Sequence, residues 1–72
     1  MELHRICRLG DLTRLQEILP NLQHKDIIVR SDNGLTPLHY ACLYRQLEIV
    51  KELLKHLNHA DLIIKDNYDN IP

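Results

Sequence analysis

The chain has 72 residues, of which 44% are apolar and 26% are charged, and nine Lys and Arg residues against ten Asp and Glu residues give a net charge of -1. This length allows one small domain, and the composition is typical of a packed protein rather than a disordered one. Because the basic residues are dispersed among acidic ones, no nucleic-acid partner is expected. The longest apolar run, residues 27–29, is too short to cross a membrane, so no membrane partner is expected either.

The first elements along the chain are two predicted helices separated by Gly10 and Asp11. Glycine can end a helix in the left-handed conformation, and Asp can cap the next helix. The second helix carries apolar residues at the spacing of one buried face, namely Leu12, Leu15, Ile18 and Leu19. Pro20 is expected to end this helix. The pattern predicts an antiparallel helix pair.

An extended stretch over residues 26–30 is predicted next, and it leads into the turn signal formed by Asn33 and Gly34. Together they predict a hairpin-like finger. Thr36 and Pro37 then open another helix, since Thr suits the N-cap and Pro suits the first helical position.

The same order of elements returns after 35 residues, and 11 of the 37 overlapping positions are identical. A repeat of this kind decides the architecture before any local pattern does. In the second unit, Arg45 and Asp69 stand where the first unit has glycine. We therefore expect the helix junction at Arg45 to bend differently and the second finger turn to be less well specified. With Lys55 in place of Pro20, the second helix is expected to run on toward Leu57.

Residues 32–42 resemble the start of an ankyrin repeat, residues 47–54 resemble its second helix, and residues 60–63 resemble the segment before the next finger. The resemblance implies an all-α ankyrin-repeat solenoid of antiparallel helix pairs with hairpin-like fingers. It makes residues 1–72 a single domain, with units at about 1–30 and 31–65 and the start of a third at 66–72. Repeat arrays generally need three or more repeats. The C-terminal face is therefore expected to be uncovered, in a piece of a longer array or a chain that relies on a neighbour.

Two His-x-x-Cys patterns, His4 with Cys7 and His39 with Cys42, are the candidates for a chemical site. Each pair lies on one helix face, and stacked helices could bring four ligands to a zinc ion. The favoured interpretation is structural, because in ankyrin-like units this His bonds near the helix start and the small residue packs inside. We expect both thiols to be buried and inert, with no disulfide, metal or cofactor. The sequence holds no catalytic motif, so no enzyme activity is expected.

The first eight residues carry charges of both signs and no long apolar run, so they are not expected to act as a secretory signal. Two cysteines without such a signal indicate reduced thiols rather than a disulfide framework. The sequence therefore predicts an intracellular location, in the cytoplasm.

The resemblance also implies that the chain binds another protein, of unknown identity, on the concave surface made by the finger tips and the exposed positions of each first helix. Residue by residue, this surface comprises Arg8, Leu9, Asp32, Asn33, Leu35, Leu43, Tyr44, Lys65, Asn67, Tyr68 and Asn70. The favoured anchors are Leu35, Leu43 and Tyr44, because an exposed aromatic beside Leu is typical of an interaction anchor. For these three, packing against a missing third unit or simple exposure is an equally weighted alternative. The alternative function is self-assembly, in which uncovered repeat ends stack copies into a homo-oligomer.

Overall fold

The computed structural model describes residues 2–71, so Met1 and Pro72, the two ends of the predicted domain, lie outside it. Within residues 2–71 the chain is helical and contains no strand, which confirms the all-α prediction. The helices are α1 (Glu2–Leu9), α2 (Leu12–Ile18), α3 (His24–Ile27), α4 (Pro37–Leu43), α5 (Leu47–Leu54) and α6 (His59–Leu62). A 3-10 turn over Leu19–Asn21 contains Pro20 and follows α2 directly.

The junction between α1 and α2 has the predicted construction. Gly10 adopts the left-handed conformation at φ 77°. Its backbone N–H bonds to the carbonyl of Ile6 at 2.8 Å, and the side chain of Asp11 accepts the N–H of Arg14 at 3.1 Å. Glycine therefore turns the chain, and Asp caps the helix that follows.

The junction between α4 and α5 repeats this geometry with Arg45 at φ 57°. The N–H of Gln46 bonds to the carbonyl of Ala41 at 2.8 Å, as Asp11 bonds to Ile6 at 3.2 Å in the first unit. The prediction that this junction bends differently is wrong. Packing of α4 against α5 holds Arg45 left-handed, although an L-residue pays about 1–2 kcal/mol for that conformation.

The core is formed where the two helix pairs stack, with α1 against α4 and α2 against α5. Its members are apolar side chains from both units that are almost fully buried: Leu3, Ile6, Cys7, Leu15, Leu19, Ile27, Leu38, Ala41, Ile49 and Leu53. Each pair buries one face against the other, as the helical spacing of these residues predicts. The core therefore lies between the first helix pair and the second.

The stretches predicted to be extended begin instead as the short helices α3 and α6. Each opens with a capping box, in which the N–H of Gln23 bonds to Asp26 at 2.9 Å and the N–H of Asn58 bonds to Asp61 at 2.8 Å. These side-chain bonds satisfy backbone donors that an extended strand would leave open. The prediction of extended chain is therefore wrong for the start of both stretches.

Helix α5 ends at Leu54 and does not continue toward Leu57, contrary to the sequence prediction. The N–H of His56 bonds to the carbonyl of Leu53 at 2.9 Å, which tightens the last turn. This turn directs the chain back toward α6.

The two fingers are confirmed as hairpin-like turns. In the first, Ser31 and Leu35 are joined by a backbone hydrogen bond of 2.8 Å, and Gly34 is left-handed at φ 78°. In the second, Asp66 and Asn70 are joined in the same way at 2.9 Å, and Asp69 takes the left-handed position at φ 65°. Asp is among the residues that tolerate this conformation, so the second finger keeps the shape of the first.

Candidate protein-binding surface

The tips of the two fingers are bonded to each other. The backbone N–H of Asn67 donates to the carbonyl of Asn33 at 3.0 Å, and its side-chain amide donates to the carbonyl of Asp32 at 3.1 Å. Three of the predicted partner-binding residues are thereby brought side by side. Their mutual contacts use backbone carbonyls, so the side chains of Asp32 and Asn33 remain exposed.

The side chain of Arg30 bridges the bases of the same two fingers by hydrogen bonds. Its Nε donates to the carbonyl of Gly34 at 3.1 Å, and its Nη2 donates to the carbonyl of Lys65 at 2.8 Å. A Cβ on Gly34 would lie 2.8 Å from the backbone nitrogen of Asn67 and 2.9 Å from Nη2 of Arg30, so only glycine fits. The fingers are thus tightly packed, and the side chain of Lys65 is left exposed.

A buried carboxylate organises the second finger from inside. Asp66 accepts hydrogen bonds from the backbone N–H groups of Tyr68 at 2.8 Å and Asn70 at 2.9 Å. The hydrogen bond from Asn70 lowers the pKa of Asp66 and, with that from Tyr68, outweighs the opposing effect of desolvation. The ionised carboxylate therefore fixes the loop that carries Tyr68, and this residue is 74% exposed.

A groove of about 440 Å³ lies between α4 and the second finger, and we call it the second-unit groove. It brings together Leu35, Leu43, Tyr68 and Asn70, with His39 and Cys42 in the wall. Leu43 is 65% exposed, whereas Leu35 is half-buried. Tyr44 is 48% exposed at the end of α4 but does not line this groove. Leu35, Leu43 and Tyr44 are thus only partly brought together.

Hydrogen bonds to both ring nitrogens assign His39 one tautomer. Its Nδ1 accepts the backbone N–H of Thr36 at 3.0 Å, so Nε2 carries the proton and donates to the carbonyl of Asn70 at 3.0 Å. His4 uses Nε2 in the same way, with the carbonyl of Val29 at 2.9 Å. These are structural bonds that tie each first helix to a loop. In residues 2–71 no three potential ligands lie close enough together to hold a metal ion.

The two thiols have different surroundings. Cys7 is fully buried against the second unit, and this burial raises its pKa to about 12. Cys42 is exposed, so the prediction that both thiols are buried is wrong for Cys42. The physical reason is its position. Cys7 lies on the face of α1 that the second helix pair covers, whereas Cys42 lies on the equivalent face of α4, which is exposed.

A second groove, of about 790 Å³, lies at the first unit and joins the remaining two predicted residues, Arg8 and Leu9, to residues outside the predicted surface. We call it the first-unit groove. Its walls include Glu2, Arg5, Arg8, Leu9, Arg14 and Tyr40. A signal for it was present in the repeat, because Arg5 and Arg14 stand where the second unit has Tyr40 and Ile49.

Comparison with known families gives one finding that covers almost the whole chain. The family model for ankyrin repeats, in three copies, matches residues 3–72. Comparison with curated proteins gives no match. In residues 2–71, no helix has both the length and the apolar character needed to cross a membrane.

Proposed function

The chain belongs to the ankyrin repeat family, and we propose that it binds another protein on the concave surface made by its fingers and first helices. Ankyrin repeats generally act as protein-binding modules rather than as enzymes. The finer assignment, to this surface and these residues, is the proposal. Two free thiols suit a reducing compartment, so the proposal includes an intracellular setting.

The observation that carries the proposal is the exposure of three large side chains next to rigid backbone. Leu43, Tyr44 and Tyr68 are 65%, 48% and 74% exposed, and they lie at the end of α4 and on the bonded second finger. Tyr and Leu side chains in such positions supply apolar contact area. Because the finger loops are already ordered, a partner loses little binding free energy to loop ordering.

The test is affinity capture from a cell extract with mass spectrometry, comparing the unchanged chain with Leu43→Asp, Tyr44→Ala. A matched control, Leu47→Asp, Ile63→Ala, alters two exposed apolar residues outside the proposed surface. Circular dichroism first establishes that both variants keep their helicity. We expect one protein to be retained by the unchanged chain and the control but lost from the Leu43, Tyr44 variant. Equal recovery with all three would contradict the surface assignment.

Self-assembly is the second candidate function. It is favoured by exposed apolar residues on the second helix pair, but not by the charged outer face of the first pair. The outer face of the second helix pair exposes Leu47, Leu54 and Leu62. The outer face of the first pair instead carries Arg14 in ion pairs with Glu2 at 3.1 Å and Glu17 at 3.2 Å. Stacking one on the other would bury these charges against leucine, which is unfavourable. Mass in solution that rises with concentration would support self-assembly, and constant mass would support a monomeric binder.

A further inference from the structure

The first-unit groove holds two arginines without ionic partners. Arg5 and Arg8 lie three residues apart on α1, and both are exposed. None of the ion pairs formed within residues 2–71 includes either of them. Residues three apart on a helix lie on one face, so both guanidinium groups are available on the same wall of the groove.

The carboxylates close to these two arginines are already engaged by Arg14. Glu2 precedes Arg5 by three residues, yet its Oε2 accepts Nε of Arg14 at 3.2 Å and Nη2 at 3.1 Å. Asp11 caps α2 by accepting the backbone N–H of Arg14 at 3.1 Å. The groove therefore keeps an excess of positive charge even though the whole chain has a net charge of -1.

The spacing of the two arginines matches acidic residues on an extended peptide. Side chains three apart on a helix are separated by about 5–6 Å at Cβ. Alternate side chains of an extended segment share one side and are separated by about 6.6 Å. Guanidinium groups bind carboxylates with paired hydrogen bonds. Next to them, Leu9 is 58% exposed and can receive an apolar side chain.

We infer that the first-unit groove binds an acidic segment of the partner protein, in extended form, with two carboxylates at alternate positions and an apolar residue beside them. This inference rests on the proposed protein-binding function and names the chemistry of the partner at one end of the surface. The second-unit groove has no Lys or Arg among its lining residues and contains Asp66, so the two grooves select different parts of a partner. Because the two grooves differ in charge, the acidic segment of the partner is expected at the first unit and not at the second.

The test uses a defined probe, the blocked hexapeptide Ala-Glu-Ser-Glu-Leu-Ala, titrated into the isotopically labelled full chain and followed by NMR. The matched peptide Ala-Gln-Ser-Gln-Leu-Ala has the same length without the two charges. We expect saturable shifts of the Arg5 and Arg8 side-chain signals and of Leu9 with the Glu peptide, at an affinity that falls as salt is added. The Gln peptide is expected to bind about tenfold more weakly or not at all.

The protein variants separate a specific site from general attraction. Arg5→Gln, Arg8→Gln removes the two groove charges, and Lys25→Gln, Lys51→Gln removes two exposed charges elsewhere. The Kd for the Glu peptide is expected to rise about tenfold in the arginine variant and to stay within about twofold in the lysine variant. Equal effects in both variants, equal binding of both peptides, or shifts confined to the fingers would overturn the inference. If the Glu peptide fails to bind while the Leu43, Tyr44 variant still loses its partner, the acidic assignment falls and the proposed function stands.

Discussion

The outer face of the first helix pair is charged, because it carries Arg5 and Arg14. The equivalent residues of the second pair are Tyr40 and the buried Ile49, on the side that packs against the first pair. At the second pair, the outer face is apolar. Leu19 is 5% exposed beneath the second pair, and Leu54, 35 residues later, is 45% exposed. The same residue type at equivalent helix positions is therefore core in one unit and surface in the other. In a repeat stack, burial is decided by the neighbouring unit as much as by the local sequence.

The effect of the neighbouring unit on burial can be tested by truncating both leucines. Leu19→Ala removes a buried side chain and is expected to lower the free energy of unfolding by about 2–5 kcal/mol. Leu54→Ala is expected to cost less than about 1 kcal/mol, because its side chain is half in water already. Urea unfolding followed by circular dichroism measures both. Loss of a cooperative transition in the Leu19 variant alone agrees with the expectation, whereas equal losses would show that the second outer face is covered in solution.

The two cysteines give a chemical version of the same comparison. Near neutral pH, Cys42 is expected to react with iodoacetamide roughly a hundredfold faster than Cys7, because Cys7 must wait for the core to open. Peptide mapping by mass spectrometry after timed quenching measures the ratio. Cys42→Ser provides the control, in which the slow reaction of Cys7 is followed alone. Similar rates for the two thiols would mean that the units separate readily.

His24 and His59 occupy equivalent positions in the two units, and His24 bonds to the other unit. Both side chains are exposed, but His24 bonds through Nε2 to the buried carboxylate of Asp61 at 2.8 Å, whereas none of the ion pairs within residues 2–71 includes the equivalent His59. Burial of Asp61 opposes its ionisation, but the hydrogen bonds from Asn58 and His24 outweigh it and lower the pKa below the ordinary 3.8. We expect His24→Ala to destabilise the fold by no more than about 1 kcal/mol, since half of this side chain is in water, and His59→Ala to be neutral.

The pH dependence of the histidine variants follows from the lowered pKa of Asp61. The ionised form contributes stability at every pH above the ordinary value of 3.8, and this contribution is lost as the pH falls through the lowered folded pKa. The penalty of His24→Ala should therefore be present near neutral pH and fade below that value. Urea titrations at several pH values measure it. A penalty that persists unchanged in strong acid would show that the bond to Asp61 is not its source.

The smallest expected effect concerns the two helix junctions. Arg45→Gly should raise stability by about 0.5–1 kcal/mol, since it relieves a left-handed L-residue but adds chain entropy to the unfolded state. The reverse change, Gly10→Arg, should lower stability, because a Cβ there would also lie 2.7 Å from Cδ of Gln46. Thermal unfolding of the pair decides the matter. A loss of stability in Arg45→Gly would point to side-chain contacts of Arg45 that outweigh the strain.

The sequence predicts the fold well because its strongest signals are local and repeated. Gly10 with Asp11 marks a helix end and the next helix start, and Thr36 with Pro37 marks a helix start. The geometry of both signals depends on a few neighbouring atoms. The short helices were missed because apolar runs after Asp26 and Asp61 look extended. The Asn58-to-Asp61 spacing is a capping signal that could have corrected this.

The candidate surface was less predictable, since it depends on which faces stay uncovered. Cys7 and Cys42 occupy equivalent positions, but Cys7 is covered by the second helix pair and Cys42 is exposed. The burial of one therefore did not predict the burial of the other. The first-unit groove depends on Arg14 drawing Glu2 away from Arg5, a contact between residues 12 positions apart. The local sequence around Arg5 gives no sign of that competition.

The two hydrogen bonds of Arg30 give the finger pair a mechanical property. Because one guanidinium holds the carbonyls of Gly34 and Lys65, and Asn67 holds the carbonyl of Asn33, a load applied at the second fingertip is shared by both loops. The two loops are therefore held together as one hydrogen-bonded unit. A pull on the second finger at Tyr68 would therefore also load the first finger, instead of stretching one loop alone.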